Sequence, residues 1–253
     1  MRFSRLSYII ASTGDSRCRK TGKWNLPQAL RWEDEMEQSE RALAVIAALK
    51  QDYPEALCAL HSRKDYELMI AVRLSAQCTD ERVNKITPAL FARFPSLEAF
   101  AQADVGEVET LVHACGFYKH KARDIVLACQ MLLTDYGGRV PDNMEALLKL
   151  PGVGRKTANL LLGDLYGVPG SVVCDTHCIR ICGKLGLTDG TKDPLKCETQ
   201  LRAVLPPTES SDFCHRIVLH GRAVCTARKP DCANCTLAAF CQYYTGIECT
   251  AES

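Results

Sequence analysis

The sequence lacks any apolar run long enough to cross a bilayer, and it shows no charged-then-apolar leader of the secretory type. It also lacks a charge imbalance, because 31 basic and 30 acidic residues leave a net charge of +1 at pH 7. We therefore expect neither a membrane partner nor secretion, and the balanced charge excludes a generally basic protein that coats nucleic acid. Any surface for nucleic acid must be a local patch.

A credible series of alternating strands is absent as well. Apolar residues instead recur at helical spacing from Ser39 onward, and 253 residues are ample for a hydrophobic core, so we predict an all-α fold. Aspartates stand before helical runs, where N-caps belong, at Asp65, Asp104, Asp142 and Asp175. One long helix opens with basic residues that we interpret as a solvated face or a phosphate contact: Lys119, His120, Lys121 and Arg123.

Residues 1–35 hold both tryptophans and several basic residues without a sustained helical period. They could be an organelle transit peptide, a basic arm, or sequence upstream of a start at Met36. We expect a poorly ordered extension there and assign it no chemistry.

The stretch Leu150–Ala158 reads LPGVGRKTA and lies between two apolar helical segments. Pro151 ends the first helix, while Gly152 and Gly154 permit positive φ and a close backbone approach. The second helix would present free N–H groups at its N-terminus, where a phosphate oxygen binds readily. This pattern predicts a helix-hairpin-helix that holds DNA by its phosphates and reads little sequence. The alternative is a tight turn between two core helices.

Two basic residues, Arg155 and Lys156, open the second helix of this hairpin. We expect Arg155 to add positive charge beside a bound phosphate. The hairpin alone indicates binding and leaves the role of Lys156 open.

Fifteen cysteines without an export signal indicate a reducing compartment rather than a disulfide scaffold. We expect a cytoplasmic, nucleoid-associated protein of bacterial type, or a nuclear or organellar one in a eukaryote. Three cysteines, Cys174, Cys178 and Cys182, have a spacing of four. With no His or fourth Cys in register, we interpret them as core packing.

A different group of four cysteines forms a C-x6-C-x2-C-x5-C pattern within seventeen residues: Cys225, Cys232, Cys235 and Cys241. Four thiolates this close need a metal to screen their charge. The uneven spacing favours a [4Fe–4S] cluster over a zinc ribbon, although the thiolate count alone also fits zinc. The loop between the first two ligands carries Arg228 and Lys229, which we predict to form a second phosphate-binding edge, the alternative being a solvated loop.

Several motifs now occur in a fixed order: LPGVGRKTA, then Asp175-Thr176-His177 nineteen residues after the lysine, then the four cysteines. With LSAQCTD at 74–80, GFYKHKA at 116–122 and LHGR at 219–222, they closely resemble the endonuclease III family of helix-hairpin-helix DNA glycosylases. The resemblance covers about residues 39–243. It implies two helical domains flanking a DNA-binding cleft: a six-helix domain at residues 63–169, and a four-helix iron–sulfur domain from residues 36–62 and 170–253.

The resemblance also implies a reaction. Lys156 would be the nucleophile and Asp175 its essential carboxylate. A neutral lysine amine can attack C1′, displace the base and form a Schiff base, and a positive hairpin at a helix N-terminus disfavours the ammonium. The carboxylate can take a proton or stabilise the developing sugar cation. We therefore expect a monomeric, bifunctional DNA glycosylase and AP lyase of base-excision repair, acting on oxidised or saturated pyrimidines such as thymine glycol in duplex DNA.

Two residues would fill the stack once the damaged base is extruded. The family's gap-filling glutamine maps to Gln77 and its wedge residue to Phe117, which is aromatic where the best-known members carry leucine. We expect Ser75 to line the base pocket, and His177 to support a phosphate or its own helix.

Two rival functions stay open. An adenine-mismatch glycosylase has a similar hairpin and cluster, but typically lacks a lysine at the position of Lys156 and carries an extra C-terminal domain. A non-catalytic DNA-binding module would use Lys156 as one more phosphate contact and Asp175 as a plain N-cap. An electron-transfer protein is disfavoured, because no second cluster motif is visible.

Overall fold

The computed structural model of the protein describes residues 37–55 and 57–245, so the extension expected at residues 1–35 lies outside it. Within these ranges the chain forms eleven α-helices besides the helical residues 242–245, and no strand, which confirms the all-α prediction. The helices are α1 (Gln38–Asp52), α2 (Asp65–Ser75), α3 (Asp80–Arg93), α4 (Leu97–Ala101), α5 (Val105–Val112), α6 (Tyr118–Asp135), α7 (Met144–Leu147), α8 (Arg155–Tyr166), α9 (Thr176–Leu185), α10 (Pro194–Val204) and α11 (Ser210–Ala223). No described helix combines the length and apolar character that a membrane span requires.

Helices α2 to α8 surround a first hydrophobic core that runs from Leu60 to Leu162. Helices α4 and α5 pack along α6, and α2 packs against α3 and α8. At the centre lie the fully buried side chains of Leu90, Phe100 and Leu132. Each stabilises the fold by about 1.5–3 kcal/mol relative to an exposed side chain. This core supports the hairpin between α7 and α8.

A second hydrophobic core joins α1 to α9, α10 and α11, with members from Ala42 to Leu237. Leu160 on α8 packs against both cores, which belong to one compact unit beginning at Glu37. The predicted domain boundaries near residues 62 and 170 stay a prediction, although the two cores change over in the same parts of the chain.

Polar contacts also join the two groups of helices. Asp164 on α8 accepts a hydrogen bond from Ser211 on α11 at 3.2 Å, and its carboxylate lies 2.8 Å from His215 Nε2. Arg222 near the end of α11 donates to Asp80 at the start of α3 at 2.8 Å. These contacts hold α11 against the first core.

The capping aspartates were predicted correctly in two of four cases. The prediction for Asp65 was wrong, because the helix already begins at Asp65 and its N-cap is Lys64. Asp104 accepts from Glu107 N–H at 3.0 Å, and Asp175 caps α9. The prediction for Asp142 was wrong, because the next residue, Asn143, caps α7 by accepting from Ala146 N–H. An amide oxygen serves this position as well as a carboxylate.

Candidate nucleic-acid interface and active site

The hairpin places a helix N-terminus at the surface. Gly154 is the N-cap of α8, and no side chain accepts hydrogen bonds from the first N–H groups of that helix. Backbone N–H groups left free in this way form an anion site, reinforced by the positive end of the helix dipole. The predicted phosphate-binding geometry is therefore available.

The two hairpin glycines are needed for different reasons. Gly152 has φ +75°, which L side chains rarely adopt, and a Cβ there would overlap Arg73 Nε and lie 2.9 Å from Asp124 Oδ2. Arg73 on α2 donates from Nε and a terminal nitrogen to Asp124 on α6, at 2.9 and 2.6 Å. Gly154 has φ −96°, so the positive φ expected there is not found, and a Cβ would meet no atom within 4 Å. Its surroundings are open to an approaching backbone.

Lys156 lies exposed in the first turn of α8. No hydrogen bond or ion pair joins its amine to another residue in the described part of the chain. The amine is therefore free to meet a reactant.

Arg155, by contrast, is paired. Its Nε and a terminal nitrogen donate to the two oxygens of Glu198 on α10 at 2.7 and 2.9 Å, and this pairing raises the arginine pKa. The Glu198 side chain is only 4% exposed, and Arg202 also contacts it at 3.0 Å. The buried carboxylate offsets part of the positive charge expected beside Lys156. A phosphate contact by Arg155 stays a prediction.

Asp175 has both carboxylate oxygens engaged. Oδ1 accepts from Cys178 N–H at 2.7 Å as the cap of α9, and Oδ2 lies 3.0 Å from His177 Nδ1. A Cβ on Gly221 of α11 would come within 2.6 Å of the His177 ring, so this glycine lets the ring pack closely. His177 therefore orients the carboxylate, and its predicted phosphate contact is untested.

Gln77 and Phe117 share an unusual backbone. They are the only non-glycine residues with positive φ in the described ranges, at +55° and +48°. Both side chains are exposed, Phe117 by 64%. A left-handed backbone conformation costs a non-glycine residue about 1–3 kcal/mol. Residues in this conformation cluster at functional sites. Nearby Ser75 is half-buried and donates to Val72 O at 2.9 Å, so its predicted pocket role is untested.

The basic turn that opens α6 was partly misread. Lys119, His120 and Arg123 are exposed, but Lys121 is only 1% exposed and is neither a solvated nor a phosphate-facing residue. Helical periodicity alone does not show that Lys121 is buried while Lys119 and His120 are exposed. That difference depends on where the preceding loop lies.

The four-cysteine segment folds around one pocket, which Cys225, Cys232, Cys235 and Cys241 all line. Burial raises the pKa of the Cys235 thiol to about 11, and the three neighbouring thiols act in the same direction. Four thiolates here would repel one another without a cation among them. Arg180 ties the segment to α9 by donating to Cys225 O at 2.8 Å.

The loop between the first two of these cysteines is held by Thr226. Its hydroxyl donates to Lys229 O at 2.6 Å and accepts from Lys229 N–H at 3.3 Å. The side chains of Arg228 and Lys229 are exposed, as the predicted phosphate-binding edge requires.

A second group of thiols was missed from the sequence. The sulfurs of Cys174, Cys178 and Cys197 lie within 4.8 Å of one another, close enough to hold a metal ion, and all three residues are buried. Cys182 Sγ is 3.9 Å from Cys178 Sγ. The structure thus brings Cys197 of α10 to the helix face that we interpreted as packing. Cys197 is nineteen residues from Cys178, so the spacing pattern within α9 could not predict that it joins this group.

Three comparisons with known proteins agree with this geometry. Residues 70–207 match the model of the HhH-GPD superfamily of base excision DNA repair proteins. Endonuclease III of Synechocystis sp. is 46% identical over 204 residues, covering 81% of this chain and 93% of the relative. Endonuclease III of Escherichia coli is 38% identical over 208 residues, covering 82% and 98%.

Solved structures are similar as well. A trapped endonuclease III–DNA covalent intermediate aligns with a TM-score of 0.78 at 36% identity, covering 84% of this chain and all of that one. A thermostable thymine-DNA glycosylase aligns with a TM-score of 0.72 at 22% identity, covering 82% and 98%, which shows a shared fold alone.

Proposed function

This chain belongs to the endonuclease III family, within the HhH-GPD superfamily of base excision DNA repair proteins, and from that premise we propose that Lys156 and Asp175 carry its chemistry. The protein is a DNA glycosylase and AP lyase. The observation that carries the residue assignment is the state of Lys156. It is an exposed amine without a partner in the described residues, beside an uncapped helix N-terminus.

Lys156 acts as the nucleophile in this proposal. Its neutral amine attacks C1′ of the damaged nucleotide as the base leaves, and the sugar then opens to a Schiff base. Elimination of the 3′ phosphate from that imine cuts the strand. The free N–H groups of α8 would hold a backbone phosphate close to the reacting sugar. Glu198 pairs with Arg155 and offsets part of its charge, so the free N–H groups of the helix N-terminus are the phosphate site that this proposal uses.

Asp175 serves as the carboxylate partner. One of its oxygens is held by Cys178 N–H and the other lies against His177, so the group cannot rotate freely. A fixed negative charge stabilises the positive charge that develops on the sugar as the base departs. The same carboxylate can accept a proton during the reaction.

Gln77 and Phe117 would occupy the stack after the damaged nucleotide leaves it. Extrusion costs roughly a few kcal/mol, which side chains inserted into the gap can offset. Their exposed positions and left-handed backbones support this role, since strained conformations of this kind cluster at functional sites.

We further propose that Cys225, Cys232, Cys235 and Cys241 hold a [4Fe–4S] cluster. One tetrahedral zinc ion, with Zn–S bonds of about 2.3 Å, would bring its sulfurs to about 3.8 Å from one another. In the described part of the chain, the group of three cysteine sulfurs that all lie within 4.8 Å of one another is the buried group instead. The wider four-cysteine pocket fits a larger cluster better. When bound, the cluster supplies iron–thiolate bonds that hold the Arg228–Lys229 loop in shape.

The substrate is proposed to be duplex DNA that contains an oxidised or saturated pyrimidine, such as thymine glycol, or an abasic site. The similar solved structures are endonuclease III–DNA complexes, which supports DNA as the partner. We propose that the protein acts as a monomer in a reducing compartment, either the cytoplasm with its nucleoid or a eukaryotic nucleus or organelle.

A substrate panel tests this function. Duplexes of one sequence would carry thymine glycol, 5-hydroxycytosine, 8-oxoguanine, an A·G mismatch, an abasic site or no lesion. We expect strand cleavage at both pyrimidine lesions and at the abasic site, and none at the mismatch or the undamaged duplex. Removal of adenine from the mismatch alone, detected as strand breakage after hot alkali, would support an adenine-mismatch glycosylase, and tight binding without any base removal or cleavage would support a binding module.

The cluster has its own test. Purified protein should contain about four iron atoms and four acid-labile sulfides per chain. Replacing Cys232 by Ala should abolish both, whereas replacing Cys197 in the buried group by Ala should leave them unchanged. Zinc in place of iron and sulfide would contradict the assignment.

A further inference from the structure

Lys121 is the only lysine with a buried side chain in the part of the chain that the structure describes, at 1% exposure. Its ammonium donates to Leu74 O at 2.8 Å and to Cys115 O at 2.7 Å. Burial lowers the pKa of this ammonium, which means that the charged form is kept in the core against a desolvation cost. Because burying a charge is costly, we expect Lys121 to have a structural or functional role.

The two carbonyls lie at the ends of the helical segments that lead into the two loops carrying the proposed stack-filling residues. Leu74 lies three residues before Gln77, and Cys115 lies two residues before Phe117. The backbone N–H of Lys121 also donates to Phe117 O at 3.1 Å. One residue of α6 is therefore bonded to the end of α2, from which the Gln77 loop leaves, and to the segment that carries Phe117.

Both loops are held in a conformation that they would not adopt alone. Gln77 and Phe117 are the non-glycine residues with positive φ in the described ranges, and such residues persist only where their surroundings hold them. A weaker link joins the loops at their edge, where Arg82 on α3 donates to Ala114 O at 3.4 Å. The Lys121 ammonium is the shorter and more deeply buried connection.

We propose that Lys121 is a positioning residue that couples the two loops, so that Gln77 and Phe117 enter the DNA stack as one unit. This rests on the proposed function, which makes those two side chains the ones that fill the gap. Lys121 itself touches neither DNA nor the reacting sugar.

A lysine suits this position for a geometric reason. An ammonium offers three N–H donors at one point on a slender stem, so two carbonyls from different elements can converge on it. Leu74 O is in the last turn of α2, where the helix dipole favours a cation. A side chain without donors would leave two buried carbonyl oxygens without this partner.

The test compares Lys121→Met, which keeps the length of the stem, with Lys85→Met, which removes an exposed lysine paired with Glu81 on α3. Each substitution is made in the wild type and in a Gln77→Ala, Phe117→Ala background. Three quantities are measured: single-turnover excision of thymine glycol, strand cleavage at a preformed abasic site, and the fluorescence of 2-aminopurine placed opposite the lesion, which reports insertion into the stack.

In the wild-type background, Lys121→Met should lower excision about tenfold to hundredfold, since a shift of about 1 Å in positioning groups has effects of that size. Cleavage at the abasic site, where no base has to be extruded, should fall by less than about threefold, and the 2-aminopurine response should be largely lost. In the double-alanine background the same substitution should change excision by less than about twofold, because coupled residues are not additive. Lys85→Met should change none of the three.

Equal losses in both backgrounds, or an equal fall in excision and abasic-site cleavage, would show that Lys121 only supports the fold. Thermal unfolding of each variant accompanies the assays. If Lys121→Met is unfolded at the assay temperature, Lys121→Gln, which keeps an N–H donor, replaces it in the same comparison. Failure of the proposed function is distinguishable, because the wild type would then not excise thymine glycol at all.

Discussion

The hairpin and the paired stack-filling loops use a lysine in opposite ways. Lys156 lies exposed in the first turn of α8 with no partner in the described residues, whereas Lys121 lies buried near the start of α6 and donates to two carbonyls. An amine that reacts must be able to lose a proton and offer its lone pair. An amine whose hydrogens are committed to acceptors is a structural cation instead. The surroundings of each lysine therefore indicate its role: Lys156 is available to react, and Lys121 holds two segments in place.

The largest effect should come from the carboxylate that accompanies Lys156. Asp175→Asn keeps an N-cap of similar quality but removes the charge, so excision should fall about 100-fold to 10,000-fold while the free energy of unfolding changes by less than about 1 kcal/mol. Single-turnover kinetics and urea unfolding measure the two effects. Asp193→Asn, at the equivalent cap of α10, is the control and should leave excision unchanged. A comparable loss of activity in both variants would reduce Asp175 to a cap.

A second prediction concerns the two hairpin glycines: Gly152 should matter for stability and Gly154 for duplex binding. Gly152→Ala should lower the free energy of unfolding by about 1–3 kcal/mol, because the residue has φ +75° and its Cβ would displace the Arg73–Asp124 pair. Gly154→Ala meets no such obstacle, so it should weaken duplex binding with little loss of stability. Urea unfolding and fluorescence anisotropy with a labelled duplex give the two quantities. If Gly154→Ala bound the duplex as tightly as the wild type, the open surroundings of Gly154 would not be a DNA contact.

The smallest effect concerns the charge next to Lys156. Glu198→Gln frees Arg155 from its carboxylate partner, so the slope of log K against log salt concentration should steepen by about one unit if the guanidinium then contacts a phosphate. Anisotropy titrations at several salt concentrations measure it, and Glu145→Gln, from an exposed pair with Lys149, is the control. An unchanged slope would remove Arg155 from the DNA-binding surface.

The sequence was informative at most places where the deciding contacts are local, the cap of α7 at Asn143 instead of Asp142 being an exception. The cap of α5 at Asp104, the turn at Gly152 and the uncapped start of α8 all follow from residues within four positions of one another. The motifs in fixed order also led to the family, which the comparisons show.

What the sequence did not predict depends on residues that are far apart in the chain. Glu198 lies 43 residues from Arg155, and Leu74 lies 47 residues from Lys121. Neither partner has a composition or spacing signal of its own. The fold decides that Lys121 points inward while Lys119 points to solvent, and only the three-dimensional position of the two loops explains why.

The most direct measurement is borohydride trapping on a duplex that contains one thymine glycol, with wild type, Lys156→Ala and Lys121→Met side by side. A Schiff base between enzyme and sugar is reduced to a stable covalent complex. The account predicts that wild type and Lys121→Met form this complex, the latter more slowly, and that Lys156→Ala binds the duplex but forms none. A covalent complex with Lys156→Ala at the wild-type level would contradict it, because the reacting amine would then belong to another residue.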